Sequence, residues 1–185
     1  MMFHPFFSVI IPVWKEEENI LPLLDHLRHV LDKDHEILVV DGDVQGSTIR
    51  MIPKGWAKTM IAPKGRACQM NEGAKKAQGD ILIFLHCDTL LPQKPLQKIS
   101  EAFQQKKIKV GAFNLAFNSH KWIFQLLAKV ASYRSRLFRI PYGDQAIFFQ
   151  REFFFQIGGF PEIPLFEDMA IMQEVKRRKE PIFFI

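Results

Sequence analysis

Short continuous runs of apolar residues alternate along this chain with stretches in which apolar residues recur at helical spacing. Continuous runs are typical of strands buried on both faces, and spacings of three and four residues are typical of amphipathic helices. The predicted strands lie at residues 7–14, 35–43, 59–63, 80–89, 109–118, 146–150 and 181–185. The predicted helices lie at residues 15–33, 66–79, 95–107, 122–138, 151–159 and 166–179. This alternation predicts an α/β fold with a mostly parallel central sheet.

Charge and glycine mark the ends of some of these helices. The acidic residues 16–18 precede the first apolar positions of the helix at 15–33, so we expect them in its first turn, where the helix dipole favours negative charge. Gly79 is expected to end the helix at 66–79.

The strand ends carry the first indication of a site. In open α/β sheets, ligands bind beyond the carboxyl ends of the strands. Pro12, Asp41, His86 and Asp88 lie at or near such ends, so we expect them around one crevice. The length of 185 residues predicts one domain over residues 1–185. The chain stops inside its last predicted strand, which predicts that a C-terminal segment is missing.

Composition fits a globular protein, with 48% hydrophobic and 24% charged residues. The 18 phenylalanines predict a core rich in aromatic rings. No apolar run approaches the roughly 18 to 20 residues that span a bilayer, and the N-terminus lacks the basic region of a signal peptide. Two cysteines form neither a disulfide framework nor a zinc pattern, so we expect a reducing cytoplasmic environment.

The formal net charge is +5, and basic residues cluster near residues 134–139 and 176–179. A solvated face is the first explanation, and an anionic partner the second. Zinc-finger spacing, RNP motifs and basic heptads are absent, which argues against nucleic acid as a partner. The predicted helix at 122–138 has an apolar face and basic residues, so it packs on the core or, as the alternative, lies on the cytoplasmic face of a membrane.

Two of the strand ends have both a structural and a functional interpretation. In IIPVWKEEENI the acids serve helix capping and dipole chemistry, or they face a ligand. In VVDGDVQGST the carboxylate of Asp41 belongs to an Asp-Gly turn, or it accepts hydrogen bonds from a nucleobase or a ribose. The residues alone leave both alternatives open.

Two other motifs suit a phosphate ligand and a cation that would accompany it. Lys64, Gly65 and Arg66 precede a predicted helix, an arrangement that favours phosphate or a nucleotide. Neither a Walker A string nor a dinucleotide-binding Gly-x-Gly-x-x-Gly is present. In HCDT, Asp88 can hold a hard divalent cation together with substrate phosphates. Cys87 would alternate to the opposite face of an extended strand and is expected in the core.

The motifs SVIIPVWKEEENI, VVDGDVQGST, KGRACQMNEGAKKAQGDILIFLHCDT and GDQAIFFQREFFFQIGGFPEIPLFEDMAI together resemble the family 2 glycosyltransferases of the GT-A fold. The nearest branch is the small bacterial "transferase 2" type, part of which is associated with radical-SAM and arsenosugar-type gene clusters. The resemblance covers nearly the whole chain. It implies a Rossmann-like three-layer sandwich, a nucleoside-diphosphate sugar donor and a hydroxyl acceptor.

For the donor side, the resemblance places HCDT at the family's DXD motif. Asp88 would then be the metal-binding carboxylate, for Mn²⁺ or Mg²⁺, and His86 replaces the first acid. Pro12, Glu17 and Asp41 match positions that line the nucleotide pocket, with Asp41 near the base.

A further set of matches lies on the cationic loop and in the second half of the chain. Arg66 matches a basic residue near the nucleotide. FEDMA matches the ED motif, in which Asp168 would be the general base and Glu167 its neighbour. Gly143, Asp144 and Gln145 match a segment that flanks the acceptor and the donor sugar. The implied reaction is one metal-assisted displacement with inversion.

The chain departs from the family in two places. Many relatives read VDGGSTDGT where this chain reads VDGDVQGST, and Asp43 is the candidate replacement for the later loop acid. The segment that usually follows the last strand is missing. Two alternatives follow: a non-catalytic GT-A domain that serves as a nucleotide-binding or membrane-surface scaffold, and a nucleotidyltransferase. The second expects a basic, glycine-rich loop after the first strand, where this chain has PVWKEEEN.

Overall fold

The computed structural model describes residues 5–106, 108–114 and 145–185. The strands of these residues are β1 Phe7–Val13, β2 His35–Asp41, β3 Lys58–Ile61, β4 Ile81–Phe84, β5 Val110–Ala112, β6 Ile147–Gln150 and β7 Ile182–Phe184. Their helices are α1 Ile20–Val30, α2 Arg66–Lys76, α3 Pro95–Lys106, α4 Arg151–Gln156 and α5 Glu167–Arg177, and a 3₁₀ turn lies at Ile49–Met51.

The strands form one sheet in the order β3-β2-β1-β4-β6-β5-β7. Strand β6 runs antiparallel to both of its neighbours, and the other pairings are parallel. In the longest pairing Phe7 faces His35 and Val13 faces Asp41, so β1 and β2 end side by side. The mostly parallel sheet predicted from the continuous apolar runs is confirmed.

Helices cover both faces of the sheet. On one face α1 and α3 pack over alternate residues of the strands, for example Val9 and Ile11 of β1. On the other face α2, α4 and α5 pack over the intervening strand residues, such as Ile10 of β1. Neighbouring residues Phe148 and Phe149 of β6 belong to opposite cores, as strand alternation requires. The result is the predicted three-layer arrangement.

Four phenylalanines form the centre of the second core. The rings of Phe84, Phe149, Phe154 and Phe160 lie with centroids 4.8 to 6.4 Å apart, most of them edge to face or tilted. Each is at most 2% exposed. These geometries are favourable for aromatic pairs and confirm the expected aromatic core.

The first helix begins later than predicted. Helix α1 starts at Ile20 and has no acid in its first turn, so the expectation that residues 16–18 serve the helix dipole is wrong. Lys15 has a positive φ of 57°, and the Glu16 carbonyl accepts the N–H groups of Asn19 and Ile20 at 3.1 and 3.0 Å. The acids therefore belong to a turn at the end of β1, which leaves them beside the sheet edge.

The second helix also ends differently. It stops at Lys76, three residues before Gly79, so the prediction that Gly79 caps it is wrong. A Cβ on Gly79 would lie 2.6 Å from both N and Oγ of Ser8. Gly79 is thus required by close approach to β1 and not by helix termination.

Strand β4 ends at Phe84, five residues earlier than the predicted end. The N–H of Thr89 donates to the carbonyl of His86 at 3.1 Å, which closes a turn over residues 86–89. The premise that Cys87 alternates along an extended strand is therefore wrong. Cys87 is nevertheless buried, at 8% exposure, as expected of a small core residue.

Residues 115–118 of the predicted fifth strand and the predicted helix at 122–138 lie outside the described residues. The basic group at the end of α5 is partly neutralised, because Glu174 accepts hydrogen bonds from Arg177 and Arg178 at 2.7 to 2.9 Å. Among the helices of the described residues, none combines the length and hydropathy that crossing a bilayer requires.

Candidate functional site

The carboxyl ends of β1, β2, β3 and β4 lie along one edge of the sheet. Strand β6 runs against β4 with Ile147 opposite Phe84, so Gln145 is delivered to the same edge. An ion pair between Arg66 Nη1 and Glu167 Oε1, 3.4 Å apart, joins the beginnings of α2 and α5 beside it. The fold therefore collects most of the predicted site residues at this edge.

Asp41 is fully buried at the end of β2, at 0% exposure. Its Oδ1 accepts the N–H of Asp43 at 2.9 Å, and its Oδ2 accepts the N–H groups of Thr48 and Ile49 at 3.1 and 3.3 Å. A carboxylate that receives three backbone N–H groups holds a loop closed around itself. The contact of Asp41 with a base stays a prediction, and the contacts seen here organise the loop at residues 42–49.

Asp43 lies half-buried on that loop. Its Oδ1 accepts the N–H of Gln45 at 3.1 Å, and its Oδ2 accepts the N–H of Ser47 at 3.4 Å. Hydrogen bonds from the Gln45 backbone and then from Ser47 hold the pKa of Asp43 below its ordinary value. The second acid of VVDGD therefore stays ionised at the rim of the site.

Glu17 faces the same loop from the turn after β1. Hydrogen bonding from the Ser47 side chain is the main reason that the pKa of Glu17 is lowered. Next to it, the N–H of Glu16 donates to Thr48 Oγ1 at 3.0 Å. Pro12 lies half-buried in β1 opposite Val40. The turn after β1 and the loop after β2 thus form one continuous rim.

His86 and Asp88 share the turn after β4 but differ in environment. Asp88 is exposed, and its Oδ1 accepts the hydroxyl of Thr89 at 3.3 Å. The Nε2 of His86 is buried and has no hydrogen-bond partner among the described residues. Burial, and then the positive charge of Arg66, lower the pKa of His86 to about 4 against the opposing effect of Asp88. His86 is therefore a neutral imidazole at neutral pH.

The intervening Cys87 is not a nucleophile. Burial, and then the negative charges of Glu16 and Asp88, raise the pKa of its thiol to about 12. A thiol that stays protonated contributes packing and little reactivity. Its role as a core residue is confirmed.

Glu167 and Asp168 occupy the first turn of α5 and are buried, at 4% and 8% exposure. Phe166 directly before them has φ 68° and ψ 25°, the left-handed region that bulky residues rarely adopt. Such strain collects at functional segments, where surrounding structure enforces it. The acids of the ED motif are thus positioned at the edge, and the role of Asp168 as general base stays a prediction.

Gln145 is buried at the start of β6. It accepts the N–H of Phe113 through its backbone carbonyl at 2.8 Å, and its Nε2 donates to the Phe113 carbonyl at 3.1 Å. These contacts join β5 to β6, and the predicted contact with donor or acceptor is not tested. Gly143 and Asp144 lie outside the described residues.

Two residues that sequence reasoning passed over, Trp14 and Gln69, belong to this edge. Trp14 is 44% exposed directly after β1, with Lys64 Nζ 3.5 Å from its ring centroid. Gln69 of α2 hydrogen-bonds to residues at the ends of β1 and β2, whereas Asn71, further along the same helix, hydrogen-bonds to Phe160 in the segment before α5. An aromatic side chain at a strand end, and amides within a helix that carries core residues, were the available signals.

Comparison with known proteins identifies a family whose model matches most of the chain. The model of the family described as "Glycosyl transferase family 2" matches residues 8–160. A dolichol-phosphate mannosyltransferase of Pyrococcus furiosus is 29% identical over a region that covers 52% of this chain and 30% of that protein.

Solved structures share the fold. The mannosyltransferase PcManGT from Pyrobaculum calidifontis, in complex with GDP-Man and Mn²⁺, matches 99% of this chain and 55% of its own, at 17% identity and a TM-score of 0.73. TarS 1-349 of S. aureus, in complex with UDP-GlcNAc, matches 97% of this chain and 56% of its own, at 16% identity and the same TM-score of 0.73. The fold is thus that of GT-A glycosyltransferases. This chain spans about half the length of these structures and 30% of the length of the curated relative.

Proposed function

The chain belongs to glycosyl transferase family 2, and we propose that it binds a nucleoside-diphosphate sugar and transfers the sugar to an acceptor hydroxyl with inversion. The observation that carries the proposal is the meeting of a half-exposed cation, an exposed acid and a buried acidic pair at one sheet edge. These are Arg66, Asp88 and the pair Glu167–Asp168. The names of the two structural neighbours, with their bound GDP-Man and UDP-GlcNAc, support a donor of this class.

The nucleoside would bind over the rim formed by residues 14–19 and 42–49. Trp14 is 44% exposed and presents an aromatic face on which a base can stack. In this structure the ammonium group of Lys64 lies over that ring. The ionised acids Glu17 and Asp43 offer acceptors for ribose hydroxyls or base N–H groups. In this arrangement Asp41 acts through the loop that it holds in shape.

The diphosphate would lie between the loop at residues 64–66 and the turn at 86–89. Arg66 has a side chain that is 55% exposed, so its guanidinium can turn from Glu167 to phosphate oxygens. Gly65, with φ 144°, lets the chain enter α2 with backbone N–H groups near that position. The positive groups needed for a leaving diphosphate are therefore supplied from α2.

The chemistry of the turn at 86–89 fits a divalent cation. Asp88 offers an exposed carboxylate, and His86 offers a buried nitrogen that has no hydrogen-bond partner among the described residues. Both are suitable ligands for Mn²⁺, whereas Mg²⁺ would rely on the carboxylate. Among the described residues, no group of three or more acids, histidines and cysteines forms a metal site, so substrate oxygens and water would complete the shell. Such a cation supplies charge neutralisation at the departing diphosphate.

Asp168 would accept the proton of the acceptor hydroxyl as that oxygen attacks the anomeric carbon. This carboxylate is buried in the first turn of α5, away from bulk water and where a helix N-terminus favours negative charge. Residues close to Asp168 in the sequence line a cavity of about 350 Å³, namely Ile163, Leu165, Phe166, Met169, Ala170 and Gln173. An acceptor with an apolar part would be seated there, and the dolichol phosphate in the name of the curated relative supports an acceptor of that kind.

Titration calorimetry tests the donor site. UDP and GDP are titrated with and without Mn²⁺ into the unmodified chain, into Asp88→Ala and into Asp80→Ala, whose acid lies at the opposite end of β4. We expect Mn²⁺-dependent binding of one nucleotide, loss of the Mn²⁺ dependence in Asp88→Ala and no change in Asp80→Ala. A folded chain that binds neither nucleotide would overturn the proposal and favour the non-catalytic scaffold.

The stereochemical part has its own test. When the bound nucleotide has been identified, the matching α-linked sugar donor is incubated with candidate acceptors, and the new anomeric linkage is read by proton NMR. A β-linked product supports single displacement. An α-linked product would contradict inversion while leaving the donor site intact.

A further inference from the structure

Gln69 is a polar side chain buried among the core residues of α2. Its exposure is 3%, and its neighbours on the helix, Ala67 and Met70, belong to the second core. A buried amide is costly unless its donors and acceptor are paired. We therefore expect the hydrogen-bond partners of Gln69 to indicate its role.

The amide of Gln69 ties together the ends of two strands and the start of its own helix. Its Nε2 donates to the carbonyls of Val13 and Val40 at 2.7 and 2.8 Å. Its Oε1 accepts the N–H of Gly65 at 3.4 Å. Val13 is the last residue of β1, Val40 the last but one of β2, and Gly65 directly precedes α2.

Each of these anchor points leads into a segment of the proposed donor site. The turn at 14–19 follows β1, the loop at 42–49 follows β2, and the cationic residues 64–66 enter α2. Gln69 touches the bases of all three without reaching solvent itself. A shift of its amide would move the three segments relative to one another.

Gly42 shows how closely this amide is packed. Its N–H donates to the Val13 carbonyl at 2.9 Å, so it shares an acceptor with Gln69. A Cβ added to Gly42 would lie 2.9 Å from Oε1 and 3.0 Å from Cδ of Gln69. The first residue of the loop at 42–49 is therefore in direct contact with the Gln69 side chain.

Asn71, two residues further along α2, makes a comparable pair of hydrogen bonds away from the donor-side loops. Its Nδ2 donates to the Phe160 carbonyl at 2.8 Å, and its Oδ1 accepts the Phe160 N–H at 2.9 Å. Residues two apart on a helix point about 200° apart, so the two amides face different parts of the protein. Asn71 fixes the segment that leads into α5 and touches none of the donor-side loops through these bonds.

We propose that Gln69 is a positioning residue that sets the donor-binding loops in register with the cationic loop at 64–66. The proposal rests on the proposed donor site and adds the element that aligns its parts. Gln is suited to this position because it offers two donors and one acceptor at the required length. Glu lacks the donors, and Met or Leu lacks both.

The test compares Gln69→Met with Asn71→Leu, which remove similar amides from the same helix. Nucleotide affinity is measured by calorimetry with Mn²⁺ and the better of UDP and GDP, and backbone protection by hydrogen exchange without ligand. We expect Gln69→Met to weaken nucleotide binding by about tenfold to a hundredfold, because loops that are no longer held in place must be ordered when the nucleotide binds. Exchange should rise at residues 42–49 and 64–66. Asn71→Leu should leave affinity within about twofold and raise exchange in the segment before α5.

Gly42→Ala is the gentler second variant. The Val13 carbonyl keeps the Gly42 N–H in both Gln69→Met and Gly42→Ala, which favours folding of both. Gly42→Ala displaces the amide of Gln69 without deleting it, so a smaller loss of affinity in the same direction is expected. It also preserves the test if Gln69→Met does not fold.

The outcomes separate the two proposals. If Gln69→Met lowers only the melting temperature and leaves affinity unchanged, Gln69 is a packing residue and the positioning role is overturned. Equal loss of affinity in Gln69→Met and Asn71→Leu would overturn it as well, because the effect would not be specific to the donor side. Failure of the unmodified chain to bind any nucleotide overturns the proposed function first, and this proposal with it.

Discussion

The loop after β2 and the turn after β4 begin from the same sequence pattern and end in different structures. Each follows a buried apolar strand and carries an aspartate close to the strand end. Asp41 is 0% exposed and receives three backbone N–H groups of its own loop. Asp88 is exposed and accepts the hydroxyl of its neighbour Thr89 at 3.3 Å.

The difference follows from the chain that comes after each acid. After Asp41 the chain turns back through Gly46, at φ 64°, and its N–H groups return to the carboxylate. After Asp88 it runs on toward α3 from a turn closed between His86 and Thr89. One aspartate therefore builds the site, and the other is left facing it. Acid at a strand end predicts a site but does not say which of these roles each acid takes.

The largest expected effect concerns a third acid, Asp168, which is buried like Asp41 but is proposed to act on substrate like Asp88. Asp168→Asn should lower turnover by about 10²–10⁴-fold, the usual contribution of a general base, and leave nucleotide affinity unchanged. Steady-state rates and calorimetry on the same preparation check this. A parallel fall in donor affinity would group Asp168 with Asp41 as a residue that builds the site.

The next largest effect is the difference in stability expected between variants of Asp41 and Asp88. Asp41→Ala leaves the N–H groups of Asp43, Thr48 and Ile49 without their acceptor, so we expect the free energy of unfolding to fall by about 3 kcal/mol. Asp88→Ala should change it by no more than about 0.5 kcal/mol, because that side chain is exposed. Urea unfolding of both variants gives the two values. Equal destabilisation would mean that Asp88 also holds its turn together.

A smaller effect is expected at the opposite end of the sheet. There Glu36 is 7% exposed and, like Asp41, holds neighbouring groups by hydrogen bonds. Burial disfavours its ionisation, but hydrogen bonds from Lys58, Ser8 and the Gln78 N–H outweigh burial and lower the pKa of Glu36 below its ordinary 4.5. A lowered pKa stabilises the folded state above pH 4.5, and this stabilisation is lost as pH falls through the folded-state value.

Glu36→Gln should therefore cost about 1–2 kcal/mol of unfolding free energy at pH 7 and progressively less on acidification below pH 4.5. Urea unfolding at several pH values measures the difference from the unmodified chain. The exposed Glu101→Gln serves as the control and should give no such curve. A Glu36→Gln cost that does not change with pH would show that shape, and not charge, matters at this position.

Local periodicity was enough to predict the sheet and most of its helices. Strands such as β1, FSVIIPV, are apolar on both faces. In a chain where such strands alternate with amphipathic helices, this pattern is typical of a parallel sheet covered on both sides. The start of α1 was misplaced because residues 15–19 have an acidic pattern that also suits a helix N-terminus. Its true start depends on contacts with Thr48, 32 residues away from Glu16.

The candidate site was predictable in residue type and less so in role. The cationic loop and the acid after a strand end indicated Arg66 and Asp88 from the residues themselves, whereas the role of Asp168 came only from resemblance to the family. The fold brings the three residues to one edge. Contacts between distant parts of the chain could not be predicted, such as the pairing of Arg66 with Glu167 over 101 positions. Gln69 was missed for the same reason, since its partners lie 29 and 56 positions away.

A last, small effect on stability tests whether Arg66 is free to leave Glu167 for a ligand. The pair is separated by 3.4 Å and Arg66 is 55% exposed, so Arg66→Gln should lower the free energy of unfolding by less than about 1 kcal/mol. The same variant should weaken nucleotide binding by about tenfold, the effect of losing one charged hydrogen bond. Arg66→Lys, which keeps the charge but not the planar fork, should fall between. A loss of about 3 kcal/mol in Arg66→Gln would mean that solvent does not screen buried Glu167, and Arg66 would then belong with Asp41 among the residues that build the site.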